Sequence, residues 1–174
     1  MAASAYMLSL LVRQYLFLTE AFQTRYPSSW LIWEPGTWRP ARTTLEGDST
    51  ATRHAEERSP TRPVGTDALC FELKNGPGAA RHTVGRSSES GIFINDLTLS
   101  REQLQLYFEG GKWNVSVDPA ATAPTVLDGR PFPAGSVAAL HDGASIAAGE
   151  VLFTFYDLKG FLARLKLEAD HLKT

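Results

Sequence analysis

The chain has 174 residues, of which 43% are hydrophobic and 21% charged, and this is enough for one domain of ordinary size with an additional segment. Its formal net charge of −2 provides no basic field, which argues against nucleic-acid binding. Cys70 is the single cysteine, so an internal disulfide is excluded, and the apolar run near the N-terminus is too short to span a bilayer. These features predict a cytoplasmic protein with no membrane partner.

The N-terminal segment, residues 1–38, is predicted to be a helix followed by a Trp-rich stretch. Apolar residues recur at helical spacing from Leu8 to Phe22, and Pro27 ends the pattern. Residues 30–38 hold three of the four tryptophans around a proline–glycine turn, which suits a short strand pair. We favour packing of this segment on the main domain, since it has little core of its own. The alternative is an exposed aromatic surface that contacts a partner.

Residues 39–66 change in composition to Thr, Ser, Arg, Glu and Pro, with scarcely an apolar side chain after Leu45. A segment of this kind cannot bury enough surface to order itself. We therefore predict a flexible polar linker.

Residues 67–157 show short strand patterns separated by turn signals, which is typical of an all-β sandwich of about 10–11 short strands. Gly110-Gly111 and Asp128-Gly129 are pairs suited to positive φ in two-residue hairpin loops. The strand candidates are residues 68–73, 82–85, 91–94, 103–108, 112–117, 125–127, 137–140, 145–146 and 151–156.

The C-terminal residues 158–174 return to helical spacing, with Asp157 placed as the N-cap. An amphipathic helix here is predicted to cover one edge or face of a sheet.

Two short motifs, Gly85-Arg86 and Ser100-Arg101, flank the strand candidate at residues 91–94. If the loops that carry them converge at one end of the sandwich, they place two guanidinium groups and a hydroxyl around a dianion. This pattern favours the interpretation that the protein binds phosphorylated partners, and not that it is an enzyme.

The region from about Ala68 to Asp157 resembles a forkhead-associated (FHA) domain, a β-sandwich whose loops bind phosphothreonine peptides. Gly85-Arg86 and Leu99-Ser100-Arg101 resemble the Gly-Arg and Val-Ser-Arg of the family motif, and residues 126–129 resemble its Phe-Val-Asn-Gly hairpin. The resemblance implies phosphopeptide binding by Arg86, Ser100, Arg101 and Thr122.

Three positions depart from the family pattern, and all three concern the binding loops. The family's His that braces the loop is Gln103 here, its peptide-gripping Asn is Ala123, and its Gly is Pro124. Alanine has no side-chain donor or acceptor, and proline lacks an N–H. We therefore expect an atypical or weakened pocket.

The resulting prediction is a phosphothreonine-dependent adaptor in Ser/Thr kinase signalling, whose partner is a phosphothreonine-containing protein. The alternative is a phosphate-independent FHA-fold scaffold that uses the N-terminal aromatic segment. An enzyme is not expected, because the four histidines lack metal-ligand spacing and no nucleophile elbow or P-loop is present. No cofactor or metal is expected either.

Self-association is a further possibility that the linker suggests. A phosphorylated linker threonine of the same or a neighbouring chain would be a ligand at high effective concentration. The candidates are Thr43, Thr44, Thr50, Thr52 and Thr61.

Overall fold

The computed structural model describes residues 3–36, 67–75 and 81–173. Within them, two packed β-sheets of seven and five strands form the core of the molecule, and helices lie at the N-terminal and C-terminal ends of the chain. The predicted all-β sandwich with terminal helices is therefore confirmed. The predicted linker, residues 39–66, lies outside the described residues, and so does Trp38.

The elements have the following bounds in chain order. The strands are β1 Ala5–Met7, β2 Ser29–Trp33, β3 Leu69–Leu73, β4 His82–Gly85, β5 Ile92–Phe93, β6 Leu104–Glu109, β7 Lys112–Val117, β8 Thr125–Leu127, β9 Arg130–Pro131, β10 Val137–Ala139, β11 Ser145–Ala148 and β12 Val151–Tyr156. The helices are α1 Leu8–Leu18, α2 Ala21–Arg25 and α3 Leu158–His171. The sheet orders are β1-β3-β2-β12-β11-β8-β9 and β10-β7-β6-β4-β5.

The N-terminal segment is part of the sandwich, so the predicted division between residues 1–38 and 67–157 does not follow the sheets. Strand β2 lies between β3 and β12, where Trp33 is opposite both Leu69 and Phe153. Its residues pack on both sides of the sheet, which explains why its sequence is a continuous apolar run. The first strand predicted beside the proline–glycine turn is β2, which pairs with β3 and β12, whereas the residues after the turn lie outside the described residues.

Both tryptophans of β2 are fully buried. Trp33 belongs to the core between the sheets, whereas Trp30 lies under the helices and stacks on Phe161 with ring centroids 4.5 Å apart. Their exposed fractions are 0%. The packing interpretation is thus the one the structure shows for these two residues, because neither offers a surface to a partner.

The predicted N-terminal helix is present as α1, but the helical segment is interrupted between Leu18 and Ala21. Thr19 has a positive φ of 50°, a backbone conformation that interrupts a helix. The break redirects the chain into the short helix α2. As a result, Phe22 becomes fully buried and meets Tyr15 edge-on.

Helix α3 begins as predicted, since the Asp157 carboxylate accepts a 2.8 Å hydrogen bond from the Gly160 N–H. Phe161, Leu165 and Ala169 form its buried stripe. The helix packs with α1 over the outer face of the seven-stranded sheet. None of the helices in the described parts of the chain is long and apolar enough to cross a membrane.

A nearly buried ion pair fastens α3 to β2. Arg164 donates from Nη1 and Nη2 to the two carboxylate oxygens of Glu34, at 3.0 and 2.8 Å, and Thr154 Oγ1 donates to the same carboxylate at 2.7 Å. Hydrogen bonding to Glu34 raises the pKa of Arg164. The pair therefore ties the last helix to the N-terminal part of the chain.

The two predicted tight turns are confirmed. Gly110 and Gly111 have φ values of 65° and 78° between β6 and β7, and Asp128 and Gly129 have 49° and 80°. The second turn leads into β9, an exposed two-residue strand that the sequence analysis did not predict. Because both hairpins are short, they fix the register of the strands that carry the loops at the opposite end of the sandwich.

Candidate functional site

Three loops meet at one end of the sandwich. They are the β4–β5 loop (residues 86–91), the β5–β6 loop (94–103) and the β7–β8 loop (118–124). Backbone hydrogen bonds join the first two, from Arg86 N to Ser100 O and from Ser87 N to Arg101 O, each 3.0 Å long.

The motif glycine is explained by this close approach. A Cβ at Gly85 would collide with the carbonyl of Arg101, so only glycine lets the two chains lie this close. The loops enclose an open cavity of about 620 Å³, lined by Arg86, Ser87, Glu89, Leu97, Thr98, Leu99, Ser100, Arg101, Glu102, Ala120, Thr122 and Ala123.

Ser100 joins two of the loops through its hydroxyl. Its Oγ accepts hydrogen bonds from the Thr122 and Ala123 N–H groups, at 2.9 and 3.0 Å. It also lies 3.3 Å from Thr122 Oγ1, with either hydroxyl able to donate. Because the oxygen already accepts two N–H groups, its own hydrogen is available to donate to Thr122 or to a ligand.

Arg86 is held by one nitrogen and leaves the others unused. Its Nε donates to the Leu99 carbonyl at 3.1 Å, and neither terminal nitrogen has a partner among the residues that the structure describes. Glu89 and Asp96, the carboxylates near it in sequence, do not pair with it there. The Asp96 carboxylate instead accepts hydrogen bonds from Thr98 N and Oγ1, at 2.8 and 2.6 Å. A planar guanidinium in this state is suited to an oxyanion.

Gln103 is a structural residue of the site whose role was not among the predictions. Its side chain is fully buried and forms three hydrogen bonds. Oε1 accepts from Ser100 N at 3.0 Å, and Nε2 donates to Ala123 O at 3.1 Å and to Thr125 Oγ1 at 2.9 Å. An amide supplies both an acceptor and two donors, so glutamine braces the β5–β6 and β7–β8 loops together.

Thr98 links the β5–β6 loop to the seven-stranded sheet. Its Oγ1 accepts a 2.9 Å hydrogen bond from Glu150 N in the β11–β12 turn. Gly149 lies directly against the Thr98 carbonyl, where a Cβ would collide. The loop is therefore supported by both sheets and presents Ser100 from a fixed base.

The four residues predicted to bind a phosphopeptide, Arg86, Ser100, Arg101 and Thr122, all line this one cavity. Ser100 is half-buried, whereas Arg86, Arg101 and Thr122 are exposed. Their role in ligand binding stays a prediction. Within the described ranges, no group of three or more His, Cys, Asp or Glu side chains is arranged to hold a metal ion.

Comparisons with known proteins point to one family. Residues 82–149 match the model of the FHA domain. A search of curated proteins gave no significant match.

Similar solved structures include the FHA domain of the CT664 protein from Chlamydia trachomatis, at 17% identity and a TM-score of 0.48, with 75% of this chain and 98% of that chain covered. The N-terminal FHA domain of Rad53p from S. cerevisiae, in complex with a phosphothreonine peptide, has 15% identity, a TM-score of 0.47 and coverage of 78% and 98%. An FHA domain from Arabidopsis thaliana has 18% identity, a TM-score of 0.47 and coverage of 75% and 86%. The family match at residues 82–149 includes all three loops of the site.

Proposed function

We propose that this protein is a phosphothreonine-dependent interaction adaptor in Ser/Thr kinase signalling, located in the cytoplasm, and that it is not an enzyme. The observation that carries the proposal is the unpaired guanidinium fork of Arg86, which lines the same cavity as the Ser100 hydroxyl. A phosphothreonine carries nearly two negative charges and three strong acceptor oxygens. Arg86 binds two of these oxygens, and Ser100 donates to the third.

The expected affinity is lower than a full set of contacts would give. Hydrogen bonds to a charged group contribute about 1.5–3 kcal/mol each, so Arg86 and Ser100 anchor the phosphate. Ala123 lines the cavity but has no side-chain amide to hold the ligand's backbone, and a missing contact of this kind costs about 1–2 kcal/mol, or roughly tenfold in affinity. The binding loops themselves are braced, because Gln103 hydrogen-bonds to both of them.

The alternative, a phosphate-independent scaffold that uses the N-terminal aromatic residues, has less support. Trp30 and Trp33 are 0% exposed and contribute to the two cores. They stabilise the sandwich and present no contact surface. Phosphate binding is therefore the better supported of the two hypotheses.

The proposal includes the linker threonines as possible ligands. Glu34, just after β2, donates from its N–H to Leu152 O at 2.9 Å. Leu152 is two residues from Glu150, whose N–H reaches Thr98 in the β5–β6 loop. The end of β2 and the start of β3, where Trp33 pairs with Leu69, thus lie at the end of the sandwich that carries the site. A linker phosphothreonine would be tethered to this end from both sides, and the resulting effective concentration would offset a weak pocket. Mass spectrometry of the native protein that finds no linker phosphothreonine would exclude this ligand.

Peptide titration tests the proposal. Wild type, Arg86→Ala and Arg81→Ala are titrated with phosphothreonine, phosphoserine and unphosphorylated peptide libraries. Arg81 is the matched control, since it is also exposed but precedes β4, at the opposite end of that strand. We expect the wild type and Arg81→Ala to bind phosphothreonine peptides and Arg86→Ala to lose at least about tenfold in affinity. If no phosphopeptide binds, or if the two variants behave alike, the proposal fails.

A further inference from the structure

The cavity contains two carboxylates as well as two guanidinium groups. Its charged lining residues are Arg86, Arg101, Glu89 and Glu102, and all the other lining residues are uncharged. The empty site is therefore balanced. A bound phosphothreonine brings nearly two negative charges of its own, so the occupied site carries an excess of about two negative charges.

Neither carboxylate is neutralised within the described structure. Glu89 and Glu102 are exposed, and they form no ion pair with any residue in the described ranges. They lie on two different loops, β4–β5 and β5–β6, so the negative charge is distributed around the cavity. The Arg86 side chain pairs with neither carboxylate, because among the described residues its guanidinium donates only to the Leu99 carbonyl.

We propose that Glu89 and Glu102 determine the sequence preference of the site: they select phosphothreonines with arginine or lysine neighbours and disfavour those with acidic neighbours. The inference rests on the proposed function and specifies its ligand as the product of a kinase that prefers basic sequences. Exposed charge pairs are individually weak and screened by salt. Two of them together give a preference of about three- to tenfold at low ionic strength.

The same rule ranks the threonines of the linker. Thr43 directly follows Arg42, and Thr61 directly precedes Arg62 and lies three residues after Arg58. Thr50 follows Asp48 by two residues. The charge of the site thus favours Thr43 and Thr61 over Thr50 as ligands from the chain itself.

Three phosphothreonine peptides in an alanine host test the preference. They differ only in the residues immediately before and after the phosphothreonine, which are both Arg, both Ala or both Glu. Isothermal titration is done with wild type, with the double variant Glu89→Gln/Glu102→Gln and with Glu109→Gln. Glu109 is the matched control, an exposed glutamate at the far end of β6 from the site loops.

The wild type is expected to bind the Arg peptide most tightly, then the Ala peptide, then the Glu peptide. At low salt the ratio of the affinities for the Arg and Glu peptides should be about three- to tenfold. The ratio should fall towards one in the double variant and in high salt, and it should persist in Glu109→Gln. Equal affinity for the three peptides, or a ratio that survives the double substitution, overturns the selectivity but leaves the proposed function standing. Failure of all three peptides to bind overturns both.

Discussion

Replacing Gln103 by leucine tests how much the hydrogen bonds of this side chain, which join the β5–β6 and β7–β8 loops, contribute to stability and binding. Leucine is close to glutamine in volume, so the substitution removes three hydrogen bonds without leaving a large cavity. Ser100 N, Ala123 O and Thr125 Oγ1 each lose their hydrogen bond to the fully buried Gln103 side chain. At about 0.5–1.5 kcal/mol for each net hydrogen bond, the free energy of unfolding should fall by about 2–4 kcal/mol.

Phosphopeptide binding should weaken at the same time. The backbone of Ser100 is held by Gln103, and its hydroxyl in turn orients the Thr122 N–H, so loss of the brace loosens the phosphate-binding hydroxyl. We expect at least about a tenfold loss of affinity, which corresponds to one charged hydrogen bond. Gln103→His should fall between wild type and leucine, since two ring nitrogens replace at most two of the three hydrogen bonds.

Urea unfolding and peptide titration measure the two effects on the same protein samples. Gln105→Leu is the control, because Gln105 lies two residues further along the chain, on β6, where it is half-buried and receives a single exposed hydrogen bond from Arg81. Its free energy of unfolding should change by less than about 1 kcal/mol. If Gln103→Leu is no more destabilising than Gln105→Leu, or if it binds phosphopeptide as wild type does, Gln103 does not brace the site.

Three further substitutions probe other parts of the molecule. Gly85→Ala should lower the free energy of unfolding by about 1–3 kcal/mol and weaken phosphopeptide binding, because the new Cβ collides with the backbone of the facing loop. An unchanged melting temperature would contradict the predicted loss of stability. Arg164→Met should cost about 2–3 kcal/mol by leaving the Glu34 carboxylate uncompensated, and adding Glu34→Gln should recover at least half of the loss in urea unfolding. The neighbouring backbone carbonyl and the Asp128 carboxylate raise the pKa of His141. Its contribution to stability should therefore be full below about pH 6.5 and disappear as the pH rises through the raised pKa. Unfolding free energies measured across this range should flatten in His141→Gln, and an identical pH dependence in both proteins would refute the assignment.

The central strands could be predicted from the sequence because their pattern is local. Lys112–Val117 alternates apolar and polar residues, and its bounds match the prediction. β1 was missed because it has three residues and runs directly into α1. The place of β2 in the sheet was missed for a different reason, since a strand buried on both faces has no period-two pattern.

The site shows the same division between local and long-range information. Arg86 and Ser100 are recognisable because each belongs to a short motif with a glycine or arginine beside it. The bracing role of Gln103 depends on Ala123 and Thr125, which lie 20 and 22 residues away in sequence. A single glutamine gives no signal of such partners until the β5–β6 and β7–β8 loops are placed side by side.

The position of β2 also has a consequence for how the chain folds. Its partner β12 is among the last strands to be synthesised, and Glu34 and Thr154, which hydrogen-bond beside this pair, are 120 residues apart. During translation most of the chain is therefore made after β2 and before its second neighbour, β12. Pairing between strands so far apart in sequence raises the contact order, and a high contact order slows the folding of this sheet. A fragment that starts at residue 82, where the family match begins, would lack β1, β2 and β3 altogether. It would leave β12 as an open edge, with the core positions of Trp33 and Phe71 empty, and such an edge promotes association with other chains.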